Sequence, residues 1–243
     1  MNKNGSLLAQ LAVHDLSVYM RRYQKMNVLA IDSSNLVMGV AVTEEQKVLS
    51  ELITNNKKNH SERLMPALAQ MVQAAGLKPS ELDRIVVAEG PGSYTGLRIG
   101  ITIAKTMAWT LKKELVGVSS LEVVAQNGRG FEGYVAPFFD ARRGQVFAGL
   151  YEQKDGKMVP TVPDRLVLME NWLAELAKRD RPVLFLSNDF DKWGEKLSSE
   201  AFAVLGDSTQ NLPRPAELAR IGATKNRFLM CIIFAGLPSL SRS

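Results

Sequence analysis

The chain has 243 residues, of which 46% are hydrophobic and 23% charged, a composition typical of a globular protein with one large domain or two lobes. No apolar run approaches the ~18 residues of a membrane-spanning helix, and the single cysteine, Cys231, excludes an intrachain disulfide. The formal net charge of +5 comes from residues 1–25 and 225–243, which carry +3 each and leave −1 for residues 26–224, so it does not by itself indicate nucleic-acid binding. We therefore expect a soluble, cytoplasmic protein that does not associate with membranes.

Residues 1–25 lack the order of charged and apolar segments that defines a secretory signal, and we interpret them as an extension outside the fold. After Met26, β-rich runs predict three strands at about 27–32, 36–43 and 46–54. Short polar turns separate these runs, so the folded part of the chain is predicted to begin with three consecutive strands.

An amphipathic helix is predicted next, over about 61–75, because apolar residues recur there at three- and four-residue spacing and Gly76 follows. A short apolar strand at 84–90 then leads through a glycine-rich segment into a long helix over about 95–112. A strand at 114–120 and a further helix complete the predicted order β-β-β-α-β-α-β-α.

From Tyr134 the pattern restarts with two strands around a turn containing Asp140, then a strand, a helix, a strand and a helical stretch. The order β-β-β-α-β-α therefore occurs twice, which predicts an α/β fold of two lobes with the same topology. We assign the first lobe to residues 26–130 and the second to 131–224, with an atypical tail over 225–243.

The segment EGPGSYTGLRIG (89–100) invites comparison with phosphate-binding loops. Its spacing excludes a Walker A loop and also the dinucleotide fingerprint, because Thr95 stands where a third glycine is needed. Two interpretations stay open: an anion site at a helix N-terminus, or a tight turn whose serine or threonine caps the helix. The candidate nucleotide- or anion-binding residues are Asp32, Ser33, Gly90, Gly92, Ser93, Thr95 and Asp140.

Asp32 and Asp140 are candidates because each ends a predicted strand, where α/β sheets face a ligand crevice. Paired acids across a cleft suit a magnesium nucleotide, and a turn cap is the alternative for each. The two histidines, His14 and His60, provide no metal-ligand spacing, and no G-x-S-x-G turn accompanies them. A triad through His60 stays formally open, but the sequence indicates no metal site and no catalytic residue.

The helix after the glycine-rich segment is apolar around most of its circumference. One apolar stripe contains Leu97, Ile101, Ala104, Ala108 and Leu111. The second contains Ile99, Ile103 and Met107. Such a helix must bury two faces, and Gly96 and Gly100 would let another backbone come close. Either the second lobe or a helix of a partner covers the second face, and both interpretations stay open.

Five segments between residues 26 and 151 carry a resemblance: LAIDSSNLVMGVAV, HSERLMPAL, VAEGPGSYTGLRIGITIAKTMAW, GVSSLEVVAQ and DARRGQVFAGLY. In order and approximate spacing they resemble the TsaB (YeaZ) family. The resemblance implies an actin-like, Hsp70-like ATPase fold of two ribonuclease-H-like lobes, in agreement with the doubled element order. It also implies a role in forming the threonylcarbamoyl modification of the adenosine next to the anticodon in tRNAs that read codons beginning with A.

In that system the related subunit TsaD carries the metal-dependent transferase site and TsaE is a small ATPase. The resemblance therefore implies a non-catalytic subunit that pairs with a TsaD-like chain, or with itself when alone, and meets tRNA through the complex. It implies no intrinsic cofactor, and the binding of ATP or ADP with magnesium at the complex interface stays open.

The implied partner interface lies on the first two helices of the first lobe. Its candidate residues are Leu64, Leu68, Met71, Leu97, Ile101, Ala104, Lys105 and Ala108. TsaD-like subunits hold their metal with two histidines four residues apart on the first of these helices. Here Leu64 stands four residues after His60, so the metal pair is missing.

The end of the chain departs from the family pattern. PRPAELARIGATK fits the segment that precedes the C-terminal residues usual in the family. NRFLMCIIFAGLPSLSRS does not fit those C-terminal residues. Two other functions stay open beside the scaffold subunit. One is an actin-fold ATPase or phosphotransferase that uses Asp32, Asp140 and the glycine-rich segment; the other is a protease-like protein, against which the lack of a nucleophile and base pair weighs.

Overall fold

The computed structural model describes residues 25–56 and 59–225. Residues 1–24 and 226–243, which include most of the predicted extension and tail together with His14 and Cys231, lie outside the described residues. The described part forms two α/β lobes, each built on one five-stranded mixed sheet. Within these ranges, no helix has both the length and the apolar content needed to cross a bilayer.

The first lobe follows the predicted element order. Its elements are β1 (Asn27–Asp32), β2 (Val37–Glu44), β3 (Lys47–Asn55), α1 (His60–Ala74), β4 (Arg84–Gly90), α2 (Tyr94–Leu111), β5 (Glu114–Ser119) and α3 (Ser120–Ala125). The strand order is β3-β2-β1-β4-β5. β1 runs antiparallel to β2 and parallel to β4, so the lobe combines a three-strand meander with two crossover strands.

The second lobe repeats this topology. Its elements are β6 (Tyr134–Arg142), β7 (Gln145–Lys154), β8 (Lys157–Leu168), α4 (Met169–Leu176), β9 (Val183–Leu186), α5 (Phe190–Ser198) and β10 (Ala203–Leu205), and α6 (Pro215–Thr224) follows. The strand order β10-β9-β6-β7-β8 matches that of the first sheet, strand for strand. The doubled β-β-β-α-β-α order predicted from the sequence is therefore present.

Each sheet is buried on both faces, which explains why its central strands are apolar at consecutive positions. In the first lobe, Leu29 and Ile31 of β1 pack against α1 and α2, whereas Val28 and Ala30 pack on the opposite face with α6. In the second lobe, α4 and α5 cover one face of the sheet, with Trp172 fully buried at the centre.

Helix α6 differs from the sequence assignment. Residues 215–224 fall within the segment 131–224 that we assigned to the second lobe, yet α6 packs against the first sheet. Leu218 is buried in the first lobe, and the guanidinium of Arg84 on β4 donates to the carbonyl oxygen of Gly222 at 2.9 Å. The amphipathic pattern predicts a helix with one apolar stripe, but it does not specify which of two sheets the stripe covers.

The two lobes meet at α3, where apolar side chains of the helix pack on the second sheet and a partly buried hydrogen-bonded group lies beside them. Ser119, the last residue of β5, caps α3 and donates its hydroxyl to Asp164 on β8 of the second lobe. The Tyr151 hydroxyl on β7 donates to the other carboxylate oxygen of Asp164 at 2.6 Å. This group holds the end of the first sheet against the second, and an open cleft lies between the lobes.

Candidate functional site

The glycine-rich segment forms a capped turn at the start of α2. The Ser93 hydroxyl accepts from the Gly96 N–H at 3.4 Å, and the Ser93 N–H donates to the carbonyl oxygen of Ser34 at 2.6 Å. The Leu97 N–H donates to the Ser93 carbonyl oxygen at 2.8 Å. Three backbone donors of the segment therefore have partners within the chain, and anion binding by these amides stays a prediction.

The glycines of this segment allow α2 to lie directly against the turn between β1 and β2. A Cβ atom at Gly92 would stand 2.0 Å from the Ser34 carbonyl oxygen, and one at Gly96 would stand 2.1 Å from the Ser33 carbonyl oxygen. A Cβ atom at Gly100 would stand 2.3 Å from the Ser33 hydroxyl oxygen. The sequence predicts that another backbone comes close to this helix, and the structure shows that it belongs to the same lobe.

The inward face of α2 consists of small residues at four-residue spacing: Gly96, Gly100, Ala104 and Ala108. This placement corrects most of the predicted interface. Five of the eight candidates are buried in the core of their own lobe, where no partner can reach them without unfolding: Leu64, Leu68, Met71, Ala104 and Ala108. Leu97, Ile101 and Lys105 are half-buried and stay candidates.

The outward surface of α1 and α2 carries a different set of side chains. We call this surface the helical face and define it by Met65, Arg98, Ile101, Thr102, Lys105 and Trp109. Trp109 is 71% exposed and Met65 48% exposed, although large apolar side chains are usually buried. A groove of about 440 Å³ runs along α2 past Arg98 and Thr102. The helical face thus combines apolar area with two basic side chains.

The second feature is the cleft between the lobes, with a volume of about 450 Å³. Tyr94 and Thr95 at the start of α2 line one wall, and Asp140, Arg142 and Asp189 line the other. Of the residues predicted to bind a nucleotide or anion, the structure brings Gly92, Ser93, Thr95 and Asp140 together here.

Asp32 is 1% exposed at the end of β1. Its Oδ1 accepts from the Ser34 N–H at 2.9 Å and from the Ser34 hydroxyl at 2.7 Å, whereas its Oδ2 has no partner among the described residues. Burial raises the pKa of this carboxyl above its ordinary value. A buried carboxyl bonded to the turn that follows its own strand behaves as a turn cap, the alternative left open from the sequence.

The Asp140 side chain is also hydrogen-bonded to residues of its own lobe. Its Oδ1 accepts from the Lys192 Nζ at 2.5 Å and from the Trp193 Nε1 at 3.2 Å, and its backbone N–H donates to Asp189 at 2.9 Å. Burial raises the pKa of Asp189 as well. Lysine and indole donors thus both contact the Oδ1 atom of this carboxylate.

These side chains do not fit a magnesium nucleotide in the cleft. The described residues include no group of three or more His, Cys, Asp or Glu side chains that could hold a metal ion. The Nε2 of His60 lies 2.9 Å from the Asn35 carbonyl oxygen, and Leu64, four residues on, is fully buried. We therefore derive no chemical step through a cofactor in this chain.

Sequence reasoning missed several exposed side chains at or beside these two features: Met65, Tyr94 and Trp109, Arg142 at the end of β6 and Arg143 in the turn that follows. The available signals were an aromatic residue beside the glycines and two consecutive arginines before Gly144. Neither signal is decisive by itself, because apolar residues of a helix are more often buried than exposed.

Comparison with known proteins identifies the family. The family model described as "TsaD: tRNA N6-adenosine threonylcarbamoyltransferase" matches residues 47–229. The chain is 48% identical over 204 residues to the tRNA threonylcarbamoyladenosine biosynthesis protein TsaB of Bacillus subtilis, covering 82% of this chain and 88% of that protein. The chain belongs to the TsaB family.

Other TsaB-family comparisons agree. The Escherichia coli TsaB is 30% identical over 199 residues, covering 81% of this chain and 85% of that protein. The solved structure of YeaZ from Pseudomonas aeruginosa superposes with a TM-score of 0.66 at 25% identity, covering 82% of this chain and 91% of that chain. The predicted family and the predicted two-lobed actin-like fold are confirmed.

Proposed function

We propose that this TsaB-family chain is a non-catalytic scaffold subunit of the complex that transfers a threonylcarbamoyl group to the adenosine next to the anticodon of tRNAs reading codons that begin with A. Its curated relatives are named for tRNA threonylcarbamoyladenosine biosynthesis. The observation that carries the scaffold role is the helical face, an exposed and partly apolar surface on two adjacent helices of the first lobe.

The helical face suits a partner protein because large apolar side chains left in water cost free energy until they are covered. Trp109 projects from it as the kind of aromatic anchor that dominates binding energy in protein interfaces. Arg98 and Lys105 supply a basic rim that favours an acidic or polar surround on the partner. We propose a TsaD-like subunit as the occupant, and a second copy of this chain when the TsaD-like subunit is absent.

The composition of the cleft supports the non-catalytic part of the proposal. Asp32 and Asp140 are both held by hydrogen bonds within their own lobes. We therefore propose that ATP or ADP with magnesium binds at the face shared with the TsaD-like partner. The small ATPase TsaE would then bind the assembled complex. Calorimetric titration of ATP and magnesium into the isolated chain should give no heat of binding, whereas saturable turnover lost in Asp32→Ala would favour the ATPase alternative.

Replacing Trp109 tests the scaffold role. Trp109→Glu removes the anchor and places a charge where the partner would exclude water, so we expect the affinity for the TsaD-like subunit to fall by about 30-fold or more. Isothermal titration calorimetry with the purified TsaD-like subunit measures this effect. Because Trp109 is exposed, the variant should unfold at the same temperature as the parent chain.

Val204→Glu is the matched control, because Val204 is an exposed apolar residue on β10 of the other lobe. This variant should bind the TsaD-like subunit with unchanged affinity. The tRNA modification activity of the reconstituted complex should be lost with Trp109→Glu and unchanged with Val204→Glu. Equal affinities of the two variants would contradict the helical face as the docking surface.

A further inference from the structure

The hairpin turn between β6 and β7 has an unfavourable sequence for its conformation. Arg142, Arg143 and Gly144 have φ angles of 66°, 51° and 76°, in the left-handed region that glycine, asparagine and aspartate tolerate best. The turn between β7 and β8 in the same sheet has φ angles of 50° and 73° at Asp155 and Gly156, the preferred pair. Two arginines thus stand where the backbone conformation favours other residues.

No contact within the described residues accounts for these arginines. Both are exposed, and neither guanidinium has a hydrogen-bond acceptor or an ion-pair partner in that part of the chain. The adjacent carboxylate, Asp140, is already paired with Lys192 and with the indole of Trp193. The turn therefore presents two uncompensated positive charges at a conformational cost, the kind of local strain that is associated with ligand contact.

An exposed aromatic ring faces the same cleft. Tyr94 is 74% exposed and, with Arg142, lines the mouth of the cleft between the lobes. The Arg98 guanidinium lies 5.3 Å from the centroid of the Tyr94 ring, which keeps positive charge beside the aromatic surface. Asp140 and Asp189 line the same cleft, Asp140 paired with Lys192, so an anion is favoured beside the exposed arginines rather than beside these two carboxylates.

Exposed aromatic rings that stack bases, together with arginines that contact phosphates, are the features that bind single-stranded RNA. We propose that the Arg142–Arg143 turn and Tyr94 form a contact site for a single-stranded RNA segment, with phosphates at the arginines and one base on the Tyr94 ring. This inference rests on the proposed function, in which tRNA is the substrate of the complex. It gives the chain a direct contact with that substrate, at a site beside the helical face, since Arg98 of that face lies 5.3 Å from the centroid of the Tyr94 ring.

The test uses the full chain and a fluorescently labelled single-stranded RNA of about ten nucleotides, within the usual site size, with binding followed by anisotropy at several salt concentrations. Arg142→Asn and Arg143→Asn are combined, because asparagine tolerates the left-handed conformation and the double variant should melt no lower than the parent. We expect its affinity to fall by about tenfold at low salt. The slope of log affinity against log salt should also decrease in magnitude by about 1.4, or about 0.7 for each lost phosphate contact.

Lys154→Ala combined with Lys157→Ala is the matched control, since it removes two positive charges from the next hairpin turn of the same sheet. This control should change the RNA affinity by less than about twofold. Tyr94→Ala should weaken RNA binding by about tenfold, whereas Tyr94→Phe keeps the ring and should bind like the parent.

Equal losses in the two double variants, or an unchanged salt slope in the arginine variant, would overturn the proposal. It would also fail if the arginine variant bound RNA normally and bound the TsaD-like subunit weakly, because the turn would then face an acidic protein surface. If the arginine variant loses RNA binding as expected but the parent chain forms no complex with a TsaD-like subunit, the RNA site is supported and the proposed scaffold role is contradicted.

Discussion

Asp32 shows how one residue can look like a ligand-binding residue in the sequence and have a structural role in the fold. It ends a central strand, as many binding acids do, but both of its hydrogen bonds come from Ser34 in the turn that follows. Its second carboxylate oxygen is buried without a partner, and burial raises its pKa. A carboxylate in this position therefore costs stability whenever it is ionised.

The pH dependence of this cost follows from the direction of the shift. Because the pKa of Asp32 is higher in the folded state, its contribution to stability is full below the ordinary pKa and is lost as pH rises through the folded value. Asp32→Asn keeps the Oδ1 acceptor and removes the ionisation. We expect it to raise the free energy of unfolding at pH 7, with the gain vanishing near about pH 4, as measured by urea denaturation across that range.

Asp207→Asn is the control for the Asp32→Asn prediction. Hydrogen bonds from Thr209 and Gln210 lower the pKa of this exposed carboxyl, so its contribution to stability is present above the ordinary pKa and is lost as pH falls. Asp207→Asn should therefore not stabilise the chain at pH 7. A gain for Asp32→Asn that was the same at pH 4 and pH 7 would show that burial of the charge is not its cause.

At the scale of a helix, the glycines of α2 are explained by packing within the lobe. Their spacing places Gly96 and Gly100 on the face that touches the turn after β1, with Ala104 and Ala108 continuing the same face. Small residues allow the helix axis to approach the sheet closely, and the larger apolar residues then lie at the sides and outside. Residues of both apolar stripes inferred from the sequence pack against the core of the first lobe, and covering of the outer surface by a partner stays a prediction.

Replacing one of these glycines tests the close approach. Gly96→Ala would place a Cβ atom 2.1 Å from the Ser33 carbonyl oxygen, so α2 must shift outward. We expect a loss of about 2 kcal/mol in the free energy of unfolding. Gly194→Ala is the control, because the nearest atom to its added Cβ lies 3.7 Å away in α5, and it should stabilise by about 0.5–1 kcal/mol through helix propensity. Chemical denaturation of the two variants should give changes of opposite sign.

At the scale of the whole molecule, α3 joins two lobes that each have a core of their own: its Leu121 and Val124 pack in an apolar cluster with Val135 and Tyr151 of the second sheet, and polar contacts lie beside this cluster. Asp164 on β8 receives hydroxyl donors from Ser119 of the first lobe and Tyr151 of the second. Burial and the neighbouring carboxylate raise the pKa of Tyr151, so its hydroxyl stays protonated and remains a donor. This group, together with the apolar packing of α3 on the second sheet, sets the relative position of the lobes and with it the cleft.

Asp164→Ala should therefore weaken the connection between the lobes. It leaves the Tyr151 hydroxyl buried without its acceptor, and we expect a loss of about 2 kcal/mol together with a broader or split calorimetric transition. Asp180→Ala removes a carboxylate that is mostly exposed and should leave the transition unchanged. A single sharp transition for Asp164→Ala at the parent temperature would mean that other contacts set the lobe arrangement.

The sequence by itself determined the order of strands and helices, the repetition of that order in two lobes and the family. These features are encoded locally: period-two and period-three-to-four patterns select strands and helices, and glycines mark the turns. The range predicted for the fourth strand, 84–90, coincides with β4.

Only the tertiary structure decided which surfaces meet. It placed α6 on the first sheet, turned Leu64 and Ala104 into the core and left Trp109 outside, and brought Arg142 to the same cleft as Tyr94. The physical reason is that hydrophobicity sets how much of a helix is buried, while the direction it faces depends on residues far apart in the chain that permit the closest packing.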